Sequence, residues 1–125
     1  MNVIIDTEKL EDAIRDILKQ YGDVVYVATE EGLDAATDVL IESLTDSSPA
    51  DTGKYKNSWG RKKKYKLKRY VGNSRMVKHE DREIPLSNIL EYGENSPHKG
   101  LIKRSCDKNV ERMAQAMADT IKRKL

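Results

Sequence analysis

One cysteine, three prolines, two histidines and no phenylalanine occur in 125 residues, and each scarcity excludes something. A lone Cys106 cannot close an internal disulfide, and with only His79 and His98 beside it no spacing reads as a zinc site. A cytosolic history is the expectation from that cysteine usage. No apolar run approaches the ~20 residues of a membrane span. The opening Met1-Asn2-Val3-Ile4-Ile5-Asp6 lacks the basic flank of a signal peptide, so neither export nor membrane insertion is expected. Glycine-rich phosphate loops are missing, which leaves nucleotide hydrolysis without support. With six Tyr and one Trp as the only aromatics, the core must be mostly aliphatic.

Charge is abundant. Asp, Glu, Lys and Arg make up 35% of the chain, and the length suits a single domain able to bury roughly 65% of its unfolded surface. The net charge of +2 conceals a division. Residues 1–53 hold 13 acids against three bases, a net of −10, and residues 54–125 hold 20 bases against eight acids, a net of +12. Such a dipolar chain can fold its halves against each other, stack copies acid to base, or present its basic part to nucleic acid.

The order of elements follows from periodicity. Asp6 and Thr7 are cap candidates for a first helix in which Leu10, Ile14, Ile17, Leu18 and Tyr21 recur at helical spacing, ended by Gly22. Asp23 can cap a second helix with Val24, Val27, Ala28, Leu33, Ala36, Leu40, Ile41 and Leu44 on its apolar stripe, and Gly32 as a weak point. Glu30, Glu31, Asp34, Asp38 and Glu42 occupy its polar face. Residues 45–53 have loop composition. Alternation of Tyr65, Leu67, Arg69 and Val71 predicts β structure between residues 54 and 72, with a turn at Asn73-Ser74 and a return strand from Met76. Residues 78–83 are expected to form a mobile excursion or a hairpin tip. Residues 86–92 suit a short helical turn ending at Gly93, followed by an irregular stretch. Leu101, Ile102, Cys106, Val110, Met113, Met117, Ile121 and Leu125 mark a long amphipathic closing helix. The fold class is therefore α+β: two N-terminal helices, a small antiparallel β-sheet and a long C-terminal helix packed on the sheet.

Nine of the 17 residues from 54 to 70 are Lys or Arg with no acid among them. Arg61, Lys62, Lys63, Lys64, Lys66, Lys68 and Arg69 would suit phosphate, with Trp59, Tyr65 or Tyr70 stacking on bases. They equally suit a solvated sheet edge or a face that meets an acidic neighbouring subunit. For catalysis there is little: His79 stands beside Glu80 and Asp81, and Ser58 has no base nearby in sequence. Cys106, Met113 and Met117 occupy packing positions.

The most specific text is Ser48-Pro49-Ala50-Asp51-Thr52-Gly53, then Lys54-Tyr55-Lys56-Asn57-Ser58-Trp59. Pro49 fixes a dihedral, Asp51 can accept backbone hydrogen bonds, and Gly53 can take a left-handed conformation. This stretch resembles the Ser-Pro-Val-Asp-Thr-Gly loop and following Leu-Arg-x-Ser of the tail-component or neck proteins of long, noncontractile-tailed phages. Tyr55 stands at the Leu position, Lys56 at the Arg and Ser58 at the Ser. Ile89-Leu90-Glu91-Tyr92-Gly93 resembles the family's segment ending Glu-Phe-Gly-Thr, with Glu94 in place of the Thr. Gly100-Leu101-Ile102-Lys103-Arg104-Ser105 falls where the family has Pro-Phe-Leu-Arg-Pro-Ala, both prolines being replaced. The resemblance implies a structural protein of the virion, phage or prophage, made in the host cytoplasm. It would act at the head-tail junction or in tail completion, with no enzyme activity, cofactor, membrane or small-molecule substrate. Its partners would be other neck and tail proteins and copies of itself in a ring, a hexamer if tail symmetry applies. The basic strands would then face a neighbour or DNA. Pro49, Asp51, Thr52, Gly53 and Ser58 would shape one loop, and Glu91, Tyr92 and Gly93 a second. The alternative is a small nucleic-acid-binding protein using the basic β region around residues 61–70.

Overall fold

The computed structural model describes residues 7–50, 53–65 and 67–125, with the side chains of residues 11–50, 53–61 and 67–125. Asp6, Asp51, Thr52 and Lys66 lie outside the described residues. The elements run α1 (Thr7–Ser47), a 3-10 turn (Lys56–Ser58), β1 (Trp59–Tyr65), β2 (Lys68–Asn73), β3 (Met76–His79), β4 (Arg82–Pro85), α2 (Leu86–Tyr92) and α3 (Leu101–Lys124).

The two expected N-terminal helical stretches are both helical, but they form one 41-residue helix that passes through Gly22. An interior glycine costs a helix only about 1 kcal/mol relative to alanine. Without a proline to remove a hydrogen bond, that is too little to end the helix. A Cβ at Gly22 would meet nothing within 4 Å, whereas one at Gly32 would come within 3.0 Å of Met117 and Ile121. Gly32 is therefore a point of close helix approach, not a bend.

α3 runs antiparallel along α1. Lys124 Nζ lies 3.1 Å from Glu31 Oε2 near one end, and Asn109 Nδ2 donates to Ser43 Oγ at 2.8 Å near the other. Ala28, Ala36, Leu40 and Leu44 of α1, with Tyr55, form the buried apolar core. On the α3 side of the contact Ser105, Asn109 and Thr120 are buried. Asn109, 1% exposed, also donates to the Ser105 carbonyl at 2.7 Å and accepts from Arg112 Nη1 at 3.1 Å. A satisfied polar group at this depth fixes helix register, because any slip would strand its hydrogen bonds.

The β region consists of two antiparallel hairpins, β1 with β2 and β3 with β4. In the first, Gly60 faces Gly72 and Arg61 faces Val71, and the register shifts between Lys63 and Tyr65. Arg69, Val71 and Asn73 alternate inward with outward Lys68, Tyr70 and Gly72, as the period of two requires. The second hairpin is tipped by Glu80 and Asp81, both at positive φ, the geometry of a two-residue primed turn. The stretch expected as an excursion or a hairpin tip is thus the tip. Ser74 N–H to the Ser58 carbonyl and Leu86 N–H to the Arg75 carbonyl, each 3.0 Å, tie the segment between the hairpins.

α2 ends at Gly93, whose N–H donates to the Ile89 carbonyl at 2.9 Å. A Cβ there would sit 2.5 Å from that same oxygen, so only glycine fits. The α+β class holds as a mixed helix and sheet arrangement. The long C-terminal helix makes its most extensive packing along α1, and α1 also carries β1 and β2. The helix-and-sheet layering is built through α1 because the acidic face of that helix attracts the basic hairpin.

Candidate interaction surface

The loop after α1 is organised around Trp59. Its indole Nε1 donates to Ser48 Oγ at 2.7 Å, and Ser48 in turn donates to the Leu44 carbonyl. Tyr55 packs edge-on against Trp59, ring centres 5.6 Å apart. Gly53 has φ +75°, and its carbonyl accepts from Asn57 N–H at 3.0 Å. Ser58 donates its hydroxyl to the Lys54 carbonyl, and Asn73 Nδ2 reaches the Tyr55 carbonyl at 2.7 Å. Ser58 is therefore a turn-closing residue.

Glu91 belongs to the second motif block and is 6% exposed. Its Oε2 accepts from Ile102 N–H at 2.7 Å and its Oε1 from Lys103 N–H at 3.1 Å. A carboxylate here satisfies unpaired donors of the first turn of α3 and meets the positive end of the helix dipole. The helix has no cap of its own, since Gly100 precedes it in a left-handed conformation. Tyr92, by contrast, is exposed.

The two blocks meet in space. Burial, and then the negative charge of Glu91, push the Tyr55 hydroxyl above its ordinary pKa. A cleft of about 420 Å³ is lined by Pro49, Gly53 and Tyr55 from the first block and by Leu86, Leu90 and Pro97 from the second region. Cys106 lies close by: burial first, then Asp107 and Glu91, push its thiol up. A thiol so placed stays protonated at neutral pH and is a poor nucleophile. His79 is exposed, with Nε2 4.0 Å from Glu80 Oε1 at the hairpin tip. Among the described residues no group of His, Cys, Asp and Glu could hold a metal ion.

The basic run divides into internal and external members. The Arg69 side chain is 1% exposed, with Nε 2.7 Å from Asp34 Oδ1 and Nη2 3.1 Å from Glu30 Oε2. The hydrogen bond to Asp34 raises its pKa above the ordinary value against the opposing cost of desolvation, and the bond to Glu30 adds to the rise. Arg61 lies 3.4 Å from Asp34 through Nε and pairs with Asp38 through Nη1. That nitrogen also donates to the Asp34 carbonyl at 3.0 Å and to Thr37 Oγ1 at 3.1 Å. Both arginines thus fasten the first hairpin to α1, and part of the charge division is satisfied within one chain. Lys68 is exposed. The backbones of Lys62, Lys63 and Lys64 belong to β1, opposite Tyr70 and Arg69 in the case of the first two. Their side chains, and Lys66 altogether, lie outside the described residues.

Glu30, Asp34 and Asp38, spaced by four, were visible as an acidic face. Their partners were not, because pairing across 23 to 39 residues of sequence leaves no local signal. Asn109 gave none at all, and Ser48 stood in the first motif block with nothing to mark it as the acceptor for Trp59. Compared with protein-family profiles, curated proteins and solved structures, the chain matches none.

Proposed function

We propose that this chain is a structural component of a phage particle that works by protein-to-protein contact at the head-tail junction or in tail completion. The observation that supports this most is the meeting of the two resembling blocks. Pro49, Gly53 and Tyr55 share a cleft with Leu86 and Leu90, and Glu91 acts on Tyr55 while holding the start of α3. Blocks far apart in sequence thus behave as one spatial unit, as a family signature would. In the particle, copies would form a ring with a heterologous contact, whose direction is set by unlike charge on the two meeting faces.

The lysines of the first hairpin are the assembly face in this reading. Arg61 and Arg69, engaged with α1, are withdrawn from this face and from the nucleic-acid alternative alike, so the lysines decide between the two. The test is to neutralise Lys62, Lys63, Lys64 and Lys66 together. Assembly of infectious particles is expected to fall, while labelled duplex and single-stranded DNA bind feebly to both wild type and variant. Tight DNA binding by the wild type that weakens steeply with salt, and is lost in the variant, would transfer the function to nucleic acid.

A further inference from the structure

α1 is far longer than the body it serves. Its contact with α3 ends near Glu31, where Lys124 lies, so most of residues 7–27 projects as an arm of about 31 Å at the usual 1.5 Å rise. Along this arm Ile14, Ile17, Tyr21, Val24 and Ala28 follow steps of three and four, with Leu18 and Val25 beside them. Asp12, Arg15, Asp16, Lys19 and Asp23 occupy the opposite side, an amphipathic division that holds as far as Asp23, beyond which Tyr26 and Val27 lie off the stripe. Yet Ile17, Leu18 and Tyr21 are 64%, 64% and 63% exposed. The stripe is continuous with Ala28 and Gly32, where α3 takes over as cover.

The whole-molecule surface gives the same indication. The chain exposes 9693 Å², against about 6,800 Å² expected of a compact monomer of this mass. The arm contributes to this excess through Ile14, Ile17, Leu18, Tyr21 and Val24, each about half exposed or more.

We infer that the arm is covered by the arm of a second copy, lying antiparallel to it about a two-fold axis. Two features select this occupant. The apolar stripe is self-complementary, and the positions flanking its seam (Ala13, Leu18, Gln20, Val25) carry no charge to oppose self-pairing. An antiparallel partner arm also continues the line of α3 along α1, because α3 itself runs antiparallel to α1. Its N-terminal turns, with Glu11 and Asp12, then abut the C-terminal turn of α3, with Lys122, Arg123 and Lys124. Unlike charges meet there, and the two helix dipoles run head to tail. A parallel pair would instead crowd both bodies at one end. This contact uses the arm and not the hairpin lysines and is two-fold, so it is a different contact from the heterologous one proposed for the ring and does not rest on the phage reading.

The test uses the full chain in sedimentation equilibrium. Wild type is expected to be a dimer. A double change of Ile17→Glu and Leu18→Glu should raise the dimer dissociation constant by roughly 100-fold or more, while near-ultraviolet dichroism of Trp59 reports an intact body. Orientation is read by a thiol-specific crosslinker on a Cys106→Ser background carrying Glu11→Cys and Lys122→Cys. Crosslinked dimers from the doubly substituted chain, and none from either single substitution, support the antiparallel placement. A monomeric wild type, or a dimer indifferent to the arm substitutions, would overturn the inference. A dimer crosslinked through Glu11→Cys alone would overturn the orientation.

Discussion

Two glycines in one helix have opposite environments, and the difference is measurable. Gly22 has open space around it and Gly32 is pressed against Met117 and Ile121. Gly22→Ala should stabilise α1 by up to about 1 kcal/mol through helix propensity. Gly32→Val should cost about 2–3 kcal/mol, because overpacking at a helix crossing forces backbone or side chains apart. Urea denaturation of the two variants checks both signs. In the sequence Gly22 reads as a helix end and Gly32 as a weak point, and neither reading carries their true difference, which lies in what the other helix brings. The ionisable groups around Glu91 make a second residue-scale prediction. Tyr55 and Cys106 both have raised pKa values in the folded chain. Below their ordinary values of 10.0 and 9.0 the folded and unfolded states both keep these protons, and the stabilising contribution is complete. As pH rises further the unfolded state ionises first, so stability falls until the folded pKa values are passed. Denaturation midpoints at neutral pH and at about pH 10.5 should therefore fall less in Tyr55→Phe than in wild type. Equal falls would contradict the assignment.

Among elements, the first hairpin depends on α1 through Asp34, which meets both Arg61 and Arg69. Asp34→Ala leaves the buried Arg69 guanidinium with Glu30 as its remaining carboxylate among these pairs. Removing one partner of a buried pair is far more damaging than removing an exposed one. The melting temperature should consequently fall more for Asp34→Ala than for Asp38→Ala, whose carboxylate is 67% exposed. Equal effects would show that the hairpin is held by packing alone. Legibility varied by element for physical reasons. The closing helix, the short turn ending at Gly93 and the strand character around Arg69 and Val71 all leave local periodicity, and the structure contains them. The continuity of α1 through Gly22 was not legible, because a glycine that ends one helix is tolerated inside another. The packing of α3 along α1 was hidden for a different reason. An amphipathic stripe announces that it will be covered without saying by what.

The whole molecule has a small buried core and a large surface, with α1 bridging a helical contact on one side and a β region on another. Its opposite charges are partly reconciled inside the chain, by Arg61 and Arg69 with Glu30, Asp34 and Asp38 and by Lys124 with Glu31. The candidate site was legible as two motif blocks, since Gly53 and Gly93 sit where side chains are disfavoured or excluded. The role of Glu91 as the cap of α3 was not, because that contact joins residues 11 and 12 positions apart and has no cap consensus at the helix start. The central claim is that the chain joins parts of a phage particle. The most direct measurement is electron microscopy of induced lysates from the strain that encodes it, with and without this gene. DNA-filled heads and finished tails lying unjoined, or tails arrested before completion, with joining restored by supplying the chain, are the predicted result. Normal intact particles in the deleted strain would contradict it.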